Sequence, residues 1–264
     1  MNADWMKVGF RTDASKLETL LPPGFALRGE PIVSVSCATF RNLYWLAGRG
    51  YGILSVDFPV RYAGRTETID GNFCPVIWEG RPEAVVTGRD ELGFSKMPAD
   101  IPEIDWDQDA GTAWCAVSSM EHVFCEVSLT ELLEEENPAK VLPGSGGGPQ
   151  LYYKYVPRTN AGGGGGADAA YAVTAAPRGG SGATAQNISF DGFAFRRWTG
   201  RGAVTWHKAT FEQLPIQFPI VNALADLDIH EVVDSEMVSF SGPGIAIAAN
   251  GMRPIEPADE SEAA

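Results

Sequence analysis

The pattern of hydrophobic and polar positions along the chain predicts many short β-strands. Residues 32–38 alternate apolar and small polar side chains, and because alternate residues of a strand share a face, Ser34 and Ser36 are expected side by side. Further strand-like segments follow, separated by Gly and Pro turns, and these favour an antiparallel barrel or sandwich. They cover residues 51–62, 76–78, 84–87, 112–117, 121–127, 151–156, 188–195, 204–211 and 229–240.

Helical patterns are few. Asp13 is placed to cap a helix over residues 14–21, which Pro22-Pro23 ends, and residues 128–136 predict a second short helix. Strands and helices do not alternate as they do in a Rossmann fold. The fold class is therefore predicted to be mostly β (α+β), with a few short helices.

Three glycine-rich stretches interrupt the pattern, at about residues 143–149, 161–167 and 178–183. None carries the Gly-Lys-Ser/Thr ending of a phosphate-binding loop, so we interpret them as flexible connections. The acidic residues 251–264 predict a flexible tail. Residues 1–250, including these glycine-rich connections, are predicted to form a single domain.

Composition and charge limit the function classes. A chain of 264 residues with 44% hydrophobic content can bury a full core, and no window has 18 uninterrupted apolar residues, so a membrane span is not expected. A net charge of −14 argues against a nucleic-acid partner. The N-terminus lacks a basic region followed by an apolar run, which favours a cytoplasmic location. Neither the four cysteines nor the three histidines have ligand spacing, so no metal and no other cofactor is predicted.

The strongest chemical candidate is Lys96, at the end of a stretch that begins at Gly88. A lysine amine in water is almost fully protonated at neutral pH, whereas burial disfavours the ammonium form. A neutral amine can attack a ketone and form a Schiff base. Leu92, Phe94 and Met97 are apolar neighbours of the kind that would exclude water. The alternative is a surface lysine that leaves a turn.

Residues 88–96, with the sequence GRDELGFSK, resemble the lysine motif of the acetoacetate decarboxylase family, in which Gly-Arg-Glu is followed by Gly-Phe/Tyr-Pro-Lys. Residues 10–13 with 20–25, residues 58–64, and residues 198–230 resemble other segments of that family. The resemblance thus extends from about residue 9 to about residue 245. It implies a cone-shaped antiparallel β-barrel that holds the lysine inside, flanked by further sheet and small helices, and it implies a homo-oligomer.

The sequence departs from the family's pattern at four places. The resemblance puts Met97 where the family has a second lysine, and Ser36 and Ile53 where it has two pocket glutamates. Residues 1–9 contain no arginine, although the family has one upstream of its opening helix. Of the central set of residues that the resemblance implies, only Lys96 is present.

Other polar residues have two interpretations each. Arg89 either binds a substrate carboxylate or pairs with a nearby acid, and Glu91 is either a base near the lysine or exposed on the turn. Asp57 shares a strand face with Ile53, so it is either a replacement acid or part of an exposed rim. His122 is a general acid/base or a structural partner of its acidic neighbour. The predicted catalytic residues are Lys96, Arg89 and Glu91, and the predicted substrate contacts are Ser36, Ile53, Asp57, Phe94, Met97, His122 and Trp198.

The predicted function is a Schiff-base lyase that acts on a keto acid without a cofactor. Aromatic candidates such as Phe94 and Trp198 favour decarboxylation of a β-keto acid that is larger and more apolar than acetoacetate. Aldol, retro-aldol or dehydratase chemistry is compatible with the same intermediate. Two alternatives stay open: a barrel that binds a hydrophobic small molecule without turnover, and a hydratase or hydrolase that uses Lys96 without a covalent adduct.

Overall fold

Strands make up most of the regular structure of the chain. The computed structural model describes residues 1–140, 148–159, 165–175, 192–243 and 252–256, and all fourteen strands of these ranges belong to one sheet. The longer strands are β1 (Asn2–Arg11), β3 (Ile32–Arg41), β4 (Tyr51–Ala63), β5 (Thr68–Glu79), β8 (Thr112–Ser119), β9 (His122–Glu134), β10 (Gln150–Pro157), β11 (Ala167–Thr174), β12 (Ala194–Trp206) and β13 (Glu231–Ser241). The short ones are β2 (Phe25–Leu27), β6 (Lys96–Pro98), β7 (Asp105–Asp107) and β14 (Arg253–Ile255).

Helices are short and connect strands. They are α1 (Ala14–Glu18), a 3₁₀ turn (Tyr44–Leu46), α2 (Pro82–Thr87), a π-helical turn (Gly88–Leu92) and α3 (Phe218–Ala225). No helix in the described ranges has the length and apolar character needed to cross a membrane. The prediction of a mostly β protein with a few short helices is confirmed.

The described strands form a mixed sheet rather than a wholly antiparallel one. Its strand order is β14-β11-β10-β5-β4-β3-β1-β13-β12-β9-β8-β7, with β2 on β4 and β6 on β5. Strand β5 pairs in parallel with both β10 and β6, which corrects the expectation of antiparallel strands throughout. The described strands at the two ends of this order do not pair with each other, so a closed cone is not confirmed.

Alternation along the strands divides the buried side chains between two faces. One face carries the main hydrophobic core, which includes Met6, Val8, Val35, Leu54 and Trp78. The opposite face, called the Lys96 face below, carries a second apolar cluster. That cluster includes Ala38, Phe40, Ile53, Ile77, Tyr152, Val173, Val238 and Phe240.

Two segments differ in type from the sequence prediction. Residues 84–87 lie in helix α2 and not in a strand, so the strand predicted there is wrong. Pro82 stands at the start of this helix, where its missing N–H costs no hydrogen bond. Residues 128–134 lie in β9 and not in a helix, because pairing with β8 and β12 overrides the local helical preference.

Several other predictions lie wholly or partly outside the described residues. Most of the predicted glycine-rich loops and residues 257–264 of the predicted tail fall there. Within the predicted tail, Arg253–Ile255 forms strand β14 and pairs with β11. Ile255 is 1% exposed and belongs to the main core, and Arg253 forms an ion pair with Glu67.

We expect Ile255→Ala to lower the free energy of unfolding by about 2 to 5 kcal/mol, because it removes fully buried methyl groups. Ile216→Ala is the matched control, since Ile216 is 76% exposed. Urea denaturation of both variants measures the difference. Equal stabilities would show that β14 does not dock in solution.

Candidate active site

Lys96 is a buried lysine at the start of β6, directly opposite Ile77 on β5. The residue is 7% exposed. Its Nζ atom donates a 3.3 Å hydrogen bond to the carbonyl oxygen of Ala84 in helix α2 and lies 5.1 Å from the centroid of the Phe94 ring. The amine is thus enclosed by a helix, a strand and an aromatic ring.

A single carboxylate contacts this amine in the described part of the chain. Glu79, the last residue of β5, places Oε1 2.7 Å from Lys96 Nζ, and its side chain is 3% exposed. The second oxygen, Oε2, is buried and has no hydrogen-bond partner among the described residues. Burial raises the pKa of Glu79, and the nearby Lys96 ammonium partly opposes that rise.

The geometry of the turn before Lys96 depends on its first two residues, Gly88 and Arg89. A Cβ atom at Gly88 would lie 2.4 Å from Lys96 Cδ and 2.6 Å from Nζ, so only glycine leaves room for the lysine side chain. Arg89 donates from Nη1 to the backbone carbonyl oxygen of Lys96 at 2.8 Å. The turn Gly88–Leu92 therefore sets the position of Lys96 both by space and by a hydrogen bond.

Other titratable side chains near the pair are held in their neutral forms. Burial raises the pKa of Tyr51, with a further rise from Glu79. Burial also raises the pKa of Tyr152 and of Cys74, and the negative charge of Asp57 adds to both. These groups are proton donors at neutral pH rather than bases.

The structure brings five of the predicted residues to the Lys96 face. Phe94 packs between Lys96 and Tyr152, with 4.3 Å between its ring centroid and that of Tyr152. Ile53 lies directly opposite Glu79. Ser36 and Asp57 are buried on the same side of the sheet, at 1% and 5% exposure.

The other five predicted residues lie elsewhere. Met97 and Trp198 belong to the opposite, main-core face. His122 pairs with Ser119 at the turn between β8 and β9. Arg89 is exposed and contacts the backbone, and Glu91 is exposed on the turn.

Sequence reasoning missed Glu79, which directly follows the predicted strand of residues 76–78. A signal was present: extending the strand of residues 76–78 by one residue places Glu79 on the face of Ile77. The contact with Lys96 itself depends on the parallel pairing of β5 with β6, and no local pattern indicates it.

A buried amine against a carboxylate with one unpaired oxygen can perform nucleophilic chemistry. Transfer of a proton from the ammonium to Glu79 leaves a neutral amine, which can attack a carbonyl carbon. Within the described ranges, no three His, Cys, Asp or Glu side chains are grouped as metal ligands. The absence of a metal remains a prediction.

Comparisons with known proteins relate this arrangement to one family. A family profile described as acetoacetate decarboxylase (ADC) matches residues 1–240. The solved structure of the enduracididine biosynthesis enzyme MppR, complexed with the condensation product of pyruvate and imidazole 4-carboxaldehyde, is similar with a TM-score of 0.66 at 18% identity, over 97% of this chain and 88% of that one. No curated protein matches the chain by sequence.

Two further solved structures share the fold. The acetoacetate decarboxylase of Legionella pneumophila subsp. pneumophila str. Philadelphia 1 has a TM-score of 0.63 at 18% identity, over 92% of this chain and 84% of that one. An acetoacetate decarboxylase-like enzyme from Sphingomonas wittichii RW1 has a TM-score of 0.61 at 15% identity, over 90% and 87%.

We expect Lys96→Met to raise the pKa of Glu79 further, because it removes the positive charge that opposes the effect of burial. Titration of the ¹³C-labelled glutamate carboxyls by NMR measures the change. Lys208→Met is the control, since that exposed lysine pairs with Asp226. An unaltered Glu79 titration would contradict the close contact between the two groups.

Proposed function

The chain belongs to the acetoacetate decarboxylase family, and we propose that it forms a Schiff base between Lys96 and a keto acid. The observation that carries the proposal is the 2.7 Å contact between Lys96 Nζ and the buried Glu79 carboxylate. This pair supplies both a nucleophile and the group that removes its proton. The family resemblance implies the lysine of this pair but not Glu79.

In the first step, Glu79 accepts a proton from the Lys96 ammonium. The neutral amine attacks the keto carbon, and a C–N bond forms while the C=O π bond breaks and the proton lost by the attacking nitrogen passes to the oxygen. Glu79 then returns its proton to the resulting hydroxyl group, water leaves, and an iminium remains. Because burial raises the pKa of Glu79, its carboxylate is a better proton acceptor than one in water.

For a β-keto acid, the iminium acts as an electron sink. The bond to the carboxylate breaks, carbon dioxide leaves, and the electron pair forms an enamine with the Lys96 nitrogen. Protonation of the enamine carbon and hydrolysis of the imine release the ketone. The apolar side chains beside the pair, among them Ile53, Ile77 and Phe94, favour a substrate that is larger and more apolar than acetoacetate.

Aldol-type condensation is the second candidate reaction. It starts from the same iminium, which loses a proton from the neighbouring carbon instead of carbon dioxide, and the enamine then attacks an aldehyde. The observation that favours it is the unpaired Glu79 Oε2 atom, which is free to take that proton. The complex of MppR with a pyruvate condensation product supports this chemistry by analogy.

The family resemblance also supports two finer proposals: closure of the sheet into a cone and assembly as a homo-oligomer. Light scattering coupled to size-exclusion chromatography tests the assembly. Two alternatives involve no covalent adduct: a non-catalytic barrel that binds a hydrophobic molecule, and a hydratase or hydrolase that uses Lys96 without a Schiff base. The borohydride trapping experiment below separates both from the proposal.

We expect borohydride reduction in the presence of pyruvate to attach the keto acid covalently to Lys96. Peptide mapping by mass spectrometry identifies the labelled residue, and Lys96→Met abolishes the label. Gly88→Ala slows labelling by about 100-fold, because the new Cβ displaces the amine.

Gly80→Ala is the matched control for the glycine variant. A Cβ at Gly80 meets its nearest atom at 3.7 Å, which is ordinary contact, so labelling proceeds at the wild-type rate. If pyruvate and a panel of β-keto acids all fail to label Lys96 in the wild type, the covalent mechanism is wrong.

We expect the labelling rate to fall at acidic pH with a midpoint above 4.5, the ordinary pKa of glutamate. Protonated Glu79 cannot accept the proton of Lys96, and burial shifts its protonation to higher pH. Glu79→Gln removes this acidic limb and lowers the rate by about 100-fold. A limb that persists in Glu79→Gln would assign the proton acceptor to another residue.

A further inference from the structure

The hairpin of β10 and β11 lies directly beside the turn that precedes Lys96. Strands β10 and β6 both pair with the edge of β5 that β4 leaves free, β10 with residues 72–73 and β6 with residues 77–79. Strand β10 therefore leaves this edge just before the residues that lead into β6 reach it. Two residue pairs join β10 to β5, and beyond them the hairpin meets the turn through its side chains.

Two contacts connect the backbone of the turn to the hairpin. The Lys154 Nζ atom donates a 2.7 Å hydrogen bond to the backbone carbonyl oxygen of Asp90. Gly93 follows the turn with a left-handed φ of 80°, and a Cβ atom there would lie 3.1 Å from Val173 and 3.2 Å from Lys154. Glycine is favoured at this position both by its backbone conformation and by the closeness of the two strands.

Tyr152 extends this contact to the Phe94 ring. Tyr152 is 6% exposed and lies opposite Val173, on the same face of the hairpin as Lys154. Its ring centroid is 4.3 Å from that of Phe94, with 34° between the planes, and the Phe94 centroid lies 5.1 Å from Lys96 Nζ. Phe94 itself is half-buried, so the Tyr152 ring supplies packing that holds the Phe94 ring against the amine.

The position of Phe94 also determines that of the Lys96 backbone. The Phe94 N–H donates to the Gly88 carbonyl oxygen at 2.9 Å, and the Lys96 N–H donates to the Phe94 carbonyl oxygen at 2.9 Å. Phe94 is thus bonded both to the start of the turn and to the lysine. A shift of its ring would therefore move the amine, and a misplacement of about 1 Å can lower a reaction rate by about 100-fold.

We propose that Tyr152 is a positioning residue for the Lys96 amine and that it acts through the Phe94 ring. The aromatic ring of Tyr152 carries this role, because the ring makes the contact with Phe94. The inference rests on the proposed function of Lys96. It adds to that function a residue from a distant part of the chain.

The dependence of Lys96 labelling on pyruvate concentration tests this role, with borohydride in excess so that imine formation limits the rate. Tyr152→Leu keeps an apolar side chain but removes the ring. It is expected to lower the limiting rate by about 10- to 100-fold, because the amine is no longer held in place. The pyruvate concentration at half the limiting rate stays near the wild-type value, since Tyr152 acts on the amine and not on the keto acid. Tyr152→Phe keeps the ring and the wild-type rate.

Leu129→Ala is the matched control for a loss of stability. Leu129 is 1% exposed on β9 and belongs to the main core, so this variant is destabilised in urea denaturation but labels Lys96 at the wild-type rate. Equal slowing in Leu129→Ala would reduce the effect of Tyr152 to stability. Slowing in Tyr152→Phe as large as in Tyr152→Leu would assign the effect to the hydroxyl group. Either result, or an unchanged rate in Tyr152→Leu, overturns the proposal.

A double-mutant cycle tests whether Tyr152 acts through Phe94. Phe94→Leu removes the intermediate ring and is expected to slow labelling at least as much as Tyr152→Leu does. The variant with both substitutions is then no slower than Phe94→Leu alone, because the two residues act on the amine as one unit. Fully additive effects would mean that Tyr152 acts on Lys96 without Phe94, which contradicts the proposal.

Failure of every keto acid to label wild-type Lys96 would remove the proposed function, and a measurement without substrate then decides the positioning contact. The ring current of Phe94 shifts the ¹H resonance of the Lys96 ε-methylene group, which is assigned in protein with ¹³C-labelled lysine by its loss in Lys96→Met. Tyr152→Leu is expected to move this resonance toward that of an exposed lysine, and Tyr152→Phe to leave it in place. An unchanged resonance in Tyr152→Leu, or an equal shift in Tyr152→Phe, overturns the inference.

Discussion

The buried ion pair of Lys96 and Glu79 is the constraint on which the site depends. Two charges removed from water are tolerated only when each lies close to the other, because their separate desolvation costs several kcal/mol, roughly, per ion. Here the nitrogen and oxygen are 2.7 Å apart, with both side chains less than one-tenth exposed. Gly88, which has no side chain, and the carbonyl group of Ala84 complete the enclosure of the Lys96 amine. A buried ion pair of this kind contributes little net stability, because desolvation offsets the attraction between the charges.

Strand β5 determines how the pair forms. It pairs antiparallel with β4 and in parallel with both β10 and β6, and the pairing with β6 sets Lys96 opposite Ile77, two residues before Glu79. Parallel neighbours need a crossover, which α2 and the π-helical turn provide. In this crossover, Gly88 leaves room for the Lys96 side chain and Arg89 donates to the Lys96 carbonyl oxygen, while Lys96 itself lies in strand β6. The motif is therefore a crossover connection with a buried lysine at its end.

The sequence predicted the parts of this arrangement that are local. Alternation identified most long strands, and the motif identified Lys96. The run of residues 84–87 was ambiguous because a short apolar segment suits a strand and a buried helix equally. Residues 128–134 have helix-forming side chains, yet pairing with strands far away in the chain makes them β. Glu79 is near the lysine only through such non-local pairing, which no single-sequence pattern contains.

The position of the carboxylate explains how the site differs from the family's pattern. The resemblance places a pocket glutamate at Ile53, and the structure has its cross-strand partner Glu79 instead. Side chains directly opposed across two strands lie about 5 Å apart, so an acid can move by one strand and still reach the same amine. The position of the family's second lysine is Met97, which lies on the opposite face of the sheet. Met97 therefore puts no cation beside Lys96, and the charged group in contact with the Lys96 amine in the described part of the chain is the Glu79 carboxylate.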